Sequence, residues 1–132
     1  MSHRQVVSPP GRHALYEQHR YSPAIRSGDL LFVSGQVGSR EDGSPEPVFG
    51  DQVRRAYANL KAILSAAGAS MDDVVDITTF HTDPEAQLET VMAVRADELG
   101  AAPYPNWTAV GVTWLAGFDF EIKAIARLPA DG

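Results

Sequence analysis

Pro105-Asn106-Trp107-Thr108-Ala109-Val110-Gly111-Val112 and, after a short break, Phe118-Asp119-Phe120-Glu121-Ile122-Lys123-Ala124-Ile125-Ala126-Arg127-Leu128-Pro129 bring the chain to its end as two alternating segments. A period of two marks strands that bury one face. In the second segment Phe118, Phe120, Ile122, Ala124 and Ala126 alternate with Asp119, Glu121, Lys123 and Arg127, so the sheet has one apolar and one semi-polar face. The two segments are expected to face each other across the turn between them. On the first, Trp107, Ala109 and Gly111 share one side, with small neighbours leaving space beside the ring. Trp114 falls on the other side and reads as core.

Upstream, the second helix is expected over Pro84 to Leu99, with Asp83 as cap and proline at the first helical position, where its missing N–H costs nothing. Its apolar stripe reads as Leu88, Val91, Met92, Ala96 and Leu99, and Gly100 stops it. Val74 to Thr82, rich in β-branched residues, reads as a strand. Asp51 to Ala67 is the clearest helix, with Val53, Ala56, Tyr57, Leu60, Ile63, Leu64 and Ala67 at spacings of three and four. Asp51 is its expected N-cap, and Gly68 the left-handed residue that ends it. Gly38 to Gly50 is a Gly- and Pro-rich loop. Leu30 to Val37 is a near-continuous apolar run, too short for a helix, and reads as a buried central strand. Arg12 to Tyr21 is indistinct, with room for a short strand around His13 to Tyr16. Met1 to Gly11 ends in Pro9-Pro10-Gly11 and reads as a flexible lead.

The order strands, helix, strand, helix, two strands predicts an α+β fold, a mixed sheet with two helices packed on one face. Residues 12–132 fit one domain. The opposite face is left uncovered, which points to self-association.

Composition narrows the function. No cysteine is present, so thiolate catalysis, disulfides and Cys-ligated zinc are excluded. Eleven basic against seventeen acidic residues give a net charge of −6, and the basic residues are scattered. That argues against a nucleic-acid surface. With no signal-like or membrane-length apolar run, the expectation is a cytoplasmic protein without membrane partners. Gly35, Gly38 and Gly43 form no phosphate-binding motif. His3, His13 and His19 lie at irregular spacing and suggest no metal site. His81 reads as a hydrogen-bonded structural residue.

Several blocks, in this order, resemble the RidA/YjgF family, whose fold is of the chorismate-mutase-like type. Tyr21-Ser22-Pro23-Ala24-Ile25 matches its Tyr-Ser-Gln-Ala-Ile segment, with Pro23 in place of glutamine. Leu31 to Gln36 matches its Ser-Gly-Gln strand, with Ser34, Gly35 and Gln36 intact. Asn59-Leu60-Lys61, Ala66-Ala67-Gly68-Ala69 and Thr82-Asp83 match the first helix, its exit and the entry to the second. Glu121 to Ala126 matches the Glu-Ile-Glu-Ala-Ile-Ala strand, with Lys123 in place of a glutamate. The resemblance covers about Tyr21 to Leu128. It implies a homotrimer with a small-molecule cleft at each subunit boundary and no cofactor; active members hydrolyse enamines and imines.

The resemblance also assigns site residues. Its Pro-x-Arg-Thr/Ser motif, aligned on Pro105 and Thr108, puts Trp107 where active members hold the arginine that binds the substrate carboxylate. Indole has no charge and one N–H, where the arginine offers a bidentate cation. An asparagine expected on the second helix is Met92. The cleft is expected to be lined by Tyr21, Ser34, Gly35, Trp107, Thr108 and Glu121, with Glu121 the candidate catalytic group. Glu121 has two readings, a general acid/base near a water or an ordinary strand carboxylate paired with Arg127 or a neighbouring subunit. Trp107 likewise lines a ligand pocket or plugs it. Two functions follow. One is a small-metabolite-binding protein in which 2-imino-acid deamination is absent or altered. The other is a divergent hydrolase that uses Glu121 to position water on a C=N substrate lacking a carboxylate.

Overall fold

The computed structural model describes residues 3–11 and 13–130, with the backbone alone at 13–15. The last strand, Phe120–Arg127, buries Phe120, Ile122, Ala124 and Ala126 and leaves Glu121, Lys123, Ile125 and Arg127 half-buried or exposed. It lies between Leu30–Val37 and Val74–His81 and is antiparallel to both. In chain order the strands are β1 Gln5–Val7, β2 Ala24–Ser27, β3 Leu30–Val37, β4 Val74–His81, β5 Asn106–Gly111 and β6 Phe120–Arg127. The sheet order is β1-β2-β3-β6-β4-β5.

The two closing segments therefore do not pair with each other. β4 separates them, and β5 runs parallel to β4. Alternation specifies which face a strand buries but not which neighbour it takes. β6 in the middle gains a ladder on each side, and the parallel β4–β5 pair is joined by a helical crossover, as parallel pairs must be.

That crossover is α3, Pro84–Leu99, at the predicted bounds. Its buried side is Gln87, Val91, Val94 and Arg95, whereas Leu88, Met92 and Ala96 of the expected stripe are exposed. Gln87 on that side is bonded back to the helix entry: its Oε1 accepts the Asp83 N–H at 3.0 Å and its Nε2 donates to Thr82 Oγ1 at 3.0 Å. α2, Phe49–Ala66, begins two residues before the expected start, with Val48 at the cap position. Asp51 sits in the first turn, where a carboxylate suits the helix dipole, and pairs with Arg54. The exit is as predicted: Gly68 has φ +78°, the Ala69 N–H reaches the Leu64 carbonyl at 2.9 Å, and the Gly68 N–H reaches that of Ser65 at 3.0 Å.

α2 and α3 cover the same sheet face, and their buried side chains join those of β2, β3, β4 and β6 in one core cluster. A third helix, α1 at His13–His19, occupies the segment read as indistinct or as a short strand. Gln5–Val7, read as part of a flexible lead, is a strand on the free edge of β2, with Val7 packed against the core. Met1 and Ser2 of that lead lie outside the described residues. Trp114 is 75% exposed in the turn before β6 and is not core.

Candidate functional site

Glu121 points to the sheet face that the helices leave bare. It lies opposite Val37 on β3 and Phe80 on β4. The β3–β6 register shifts between Val33 and Gln36, so Ser34 and Gly35 bulge out of the ladder. A β-carbon at Gly35 would collide with the Glu121 carboxylate, so glycine is what allows the carboxylate to rest there. Among the described residues Glu121 has no hydrogen-bond or ion-pair partner. Arg127, a candidate partner from sequence, pairs with Asp29 at 3.3 Å. Burial raises the Glu121 pKa above its ordinary value of 4.5.

The same bulge holds the Tyr21 segment. Ser34 Oγ donates to the Ser22 carbonyl at 2.6 Å, and the Ser34 N–H donates to that of Pro23 at 2.9 Å. With its proton committed, Ser34 positions this segment. Tyr21 packs edge-on against Tyr16 at 4.8 Å between centroids. Its pKa is raised by burial first, then by Tyr16 and Glu121, which places the phenol within electrostatic reach of the carboxylate. A cavity of about 310 Å³ opens beside Tyr21, lined also by Val6, Tyr16, Glu17, Arg20 and Pro23. The sequence reading missed this wall, because it is built by β1 and α1.

Trp107 and Thr108 lie elsewhere. Thr108 faces Thr78, which in turn faces Lys123, so Thr108 shares the bare face with Glu121 but stands across β4 from it. Trp107 is opposite Ile77, itself opposite Ala124, which puts the indole on the helix side. One chain thus gathers Tyr21, Ser34, Gly35 and Glu121, holds Thr108 apart, and turns Trp107 to the reverse face.

The indole is tied into the interior. Trp107 Nε1–H donates to Thr79 Oγ1 at 2.9 Å, and Thr79 Oγ1 is 2.7 Å from His81 Nε2. The Thr79 hydroxyl thus bridges the two rings, accepting the indole N–H while its oxygen stays within hydrogen-bond distance of the imidazole. His81 is buried, its pKa is lowered by burial, and it meets Phe120 edge-on at 5.5 Å. The Arg95 guanidinium carbon lies 3.8 Å from the Trp107 ring centroid. Arg95 was not singled out in the sequence; its signal was a basic residue next to Val94 on the buried side of α3.

A family model described as endoribonuclease L-PSP matches residues 11–128. The RutC family protein YjgH of Escherichia coli K12 is 68% identical over 129 residues, 98% of each chain. The chain belongs to the RidA/YjgF family. The 2-iminobutanoate/2-iminopropanoate deaminase of Dermatophagoides farinae is 32% identical over 120 residues, 87% of this chain and 88% of that protein. A solved structure of YjgH superposes with a TM-score of 0.93 at 67% identity, covering 98% of this chain and 100% of that one. RidA from the Antarctic bacterium Psychrobacter sp. PAMC 21119 gives 0.79 at 29% identity, covering 97% and 100%. The α+β mixed sheet is thus the RidA/YjgF architecture. No helix among the described residues is long and apolar enough to cross a membrane.

Proposed function

We propose that this RidA/YjgF protein binds a small metabolite in clefts between the subunits of a homotrimer, and that 2-imino-acid deamination is absent or altered in it. The observation that carries this reading is the Trp107 bond to Thr79 at 2.9 Å. The indole has one N–H, and that N–H is used inside the protein. The position that resemblance assigns to a carboxylate-binding arginine thus offers a substrate anion no donor of its own. Tyr21, Ser34, Gly35 and Glu121 form one wall of the proposed cleft, and Trp107 and Thr108 belong to its other side. Their separation within one chain supports a site assembled from two.

The alternative, a divergent enamine or imine hydrolase, is favoured by one observation. Glu121 is half-buried beside Tyr21 and has no hydrogen-bond or ion-pair partner among the described residues, as a water-positioning carboxylate would. Relatives named as deaminases, the Dermatophagoides farinae protein among them, lend it weight.

Imines generated in situ by an amino-acid oxidase separate the two. The binding reading expects turnover near background that Glu121→Gln leaves unchanged. Robust turnover that collapses in Glu121→Gln sinks it and selects the hydrolase. Ligand-induced melting shifts across a panel of neutral and charged metabolites test binding directly; no shift with any compound removes the binding reading.

A further inference from the structure

The exit of α1 differs from those of the two longer helices. α2 and α3 are followed by Gly68 at φ +78° and Gly100 at φ +65°, positive values that glycine adopts without strain. α1 is followed by Arg20 at φ +61°. There the Tyr21 N–H donates back to the Tyr16 carbonyl at 3.1 Å and the Arg20 N–H to that of Glu17 at 3.2 Å, a helix exit that ordinarily takes glycine at the Arg20 position. The same exit brings the Tyr16 and Tyr21 rings together. A side chain in this backbone conformation costs stability, and strain of this kind gathers at binding and catalytic sites.

Arg20 and Glu17 both line the cavity of about 310 Å³ beside Tyr21. No ion pair joins either to any group among the described residues, and they do not pair with each other. Residues three apart meet on a helix surface, but the positive φ takes Arg20 off that track. The cavity therefore presents one charge of each sign. A ligand of single charge would meet one attraction and one repulsion, whereas a ligand carrying both can oppose each to its counterpart. Glu17 stands in the last turn of α1, where the helix dipole also favours a cation. The Arg20 fork is matched to a carboxylate. Val6, Pro23 and the rings of Tyr16 and Tyr21 supply apolar wall. The volume is at the small end of ligand pockets, which run to about 300–1,000 Å³. Ser34, Gly35 and Glu121 do not line this cavity, which shares only Tyr21 with them.

We propose that the α1 cavity binds a small zwitterion, with its ammonium on Glu17, its carboxylate on Arg20 and its hydrocarbon against Tyr16 and Tyr21. The site is built by α1 and β1, and it stands whether the cleft at Glu121 binds its ligand or hydrolyses it.

The test titrates the full chain, by calorimetry near neutral pH, with L-norvaline and its two single-charge analogues, pentanoate and butylamine. Norvaline is expected to bind saturably and raise the melting temperature, with each analogue at least about tenfold weaker. Arg20→Gly is expected to bring norvaline down to the level of butylamine and leave butylamine within about twofold of the parent. Without ligand its melting temperature should hold or rise, because glycine relieves the strained φ, an outcome that a merely structural arginine would not give. Glu17→Gln is expected to bring norvaline down to the level of pentanoate and leave pentanoate unchanged. Absence of norvaline binding, equal binding of the three compounds, or an unliganded Arg20→Gly less stable than the parent overturns the site. Norvaline binding that both variants leave within about twofold of the parent also overturns it, and assigns that binding to the cleft, whose own reading is then untouched.

Discussion

The carboxylate of Glu121 rests on Gly35, at a place that no other residue could occupy without displacing it. The bulge that brings Gly35 there also carries Ser34, whose hydroxyl fixes the strand to the Tyr21 segment. Gly35→Ala is expected to cost about 1–3 kcal/mol, the usual range for overpacking a closed site. Urea denaturation checks this, and the cost should shrink markedly in the double variant with Glu121→Ala, where the colliding group is gone. An unchanged cost in the double variant would place the strain elsewhere.

Removing the Ser34 hydroxyl should loosen Tyr21 without emptying any core volume. Ser34→Ala loses one short bond to the Ser22 carbonyl, worth about 1 kcal/mol. Any ligand-induced melting shift should fall along with it. If binding is untouched while stability drops, the Tyr21 segment takes no part in the cleft.

Thr79 serves two partners at once, Trp107 and His81. Thr79→Val keeps the shape and strands both, for an expected loss of about 2–4 kcal/mol, against a minor change for Thr79→Ser. Denaturation monitored by Trp107 emission in a Trp114→Phe background reads the stability and the indole environment together. A Val variant as stable as the parent would show that the two contacts contribute nothing to stability.

One half-buried and one buried group give the pH dependence opposite slopes. The Glu121 pKa is raised in the fold, so between 4.5 and that raised value the folded state holds more protons than the unfolded, and stability falls as pH rises. The His81 pKa is lowered, so below 6.5 the unfolded state binds the extra proton, and stability falls as pH drops. Glu121→Gln should remove the first slope and leave the second, and His81→Gln the reverse. Denaturation midpoints across pH 4 to 8 measure both; coincident curves for Glu121→Gln and the parent would mean the carboxylate is solvated.

The elements legible in the sequence were those whose evidence is local. α2 shows its stripe and its Gly68 exit, α3 its Pro84 start, and β3 and β6 their composition and alternation. What was not legible depends on partners distant in the chain. Nothing in the alternation of β5 and β6 says that β4 lies between them. β1 has three residues and needs the free edge of β2 to exist. On α3, counting apolar residues favours Leu88 and Met92, yet Gln87 and Arg95 lie on the buried side, Gln87 bonded back to Thr82 at the helix entry and Arg95 stacked on the Trp107 ring. The site shows the same division. Gly35 and Glu121 come together as the matched strands imply, whereas the side of β5 that Trp107 takes is set by its pairing with β4.

The bulge at Ser34–Gly35 also sets the phase of β3. Before it the odd-numbered Leu31 and Val33 are buried; after it the even-numbered Gln36 and Gly38 are, with Gly38 so close to Gln52 of α2 that a β-carbon would overlap it. Deleting either bulge residue would therefore do more than remove a side chain. It would invert half the strand, turning Gln36 and Gly38 away from α2 or Leu31 and Val33 out of the core, so the length of this segment is as constrained as its residues.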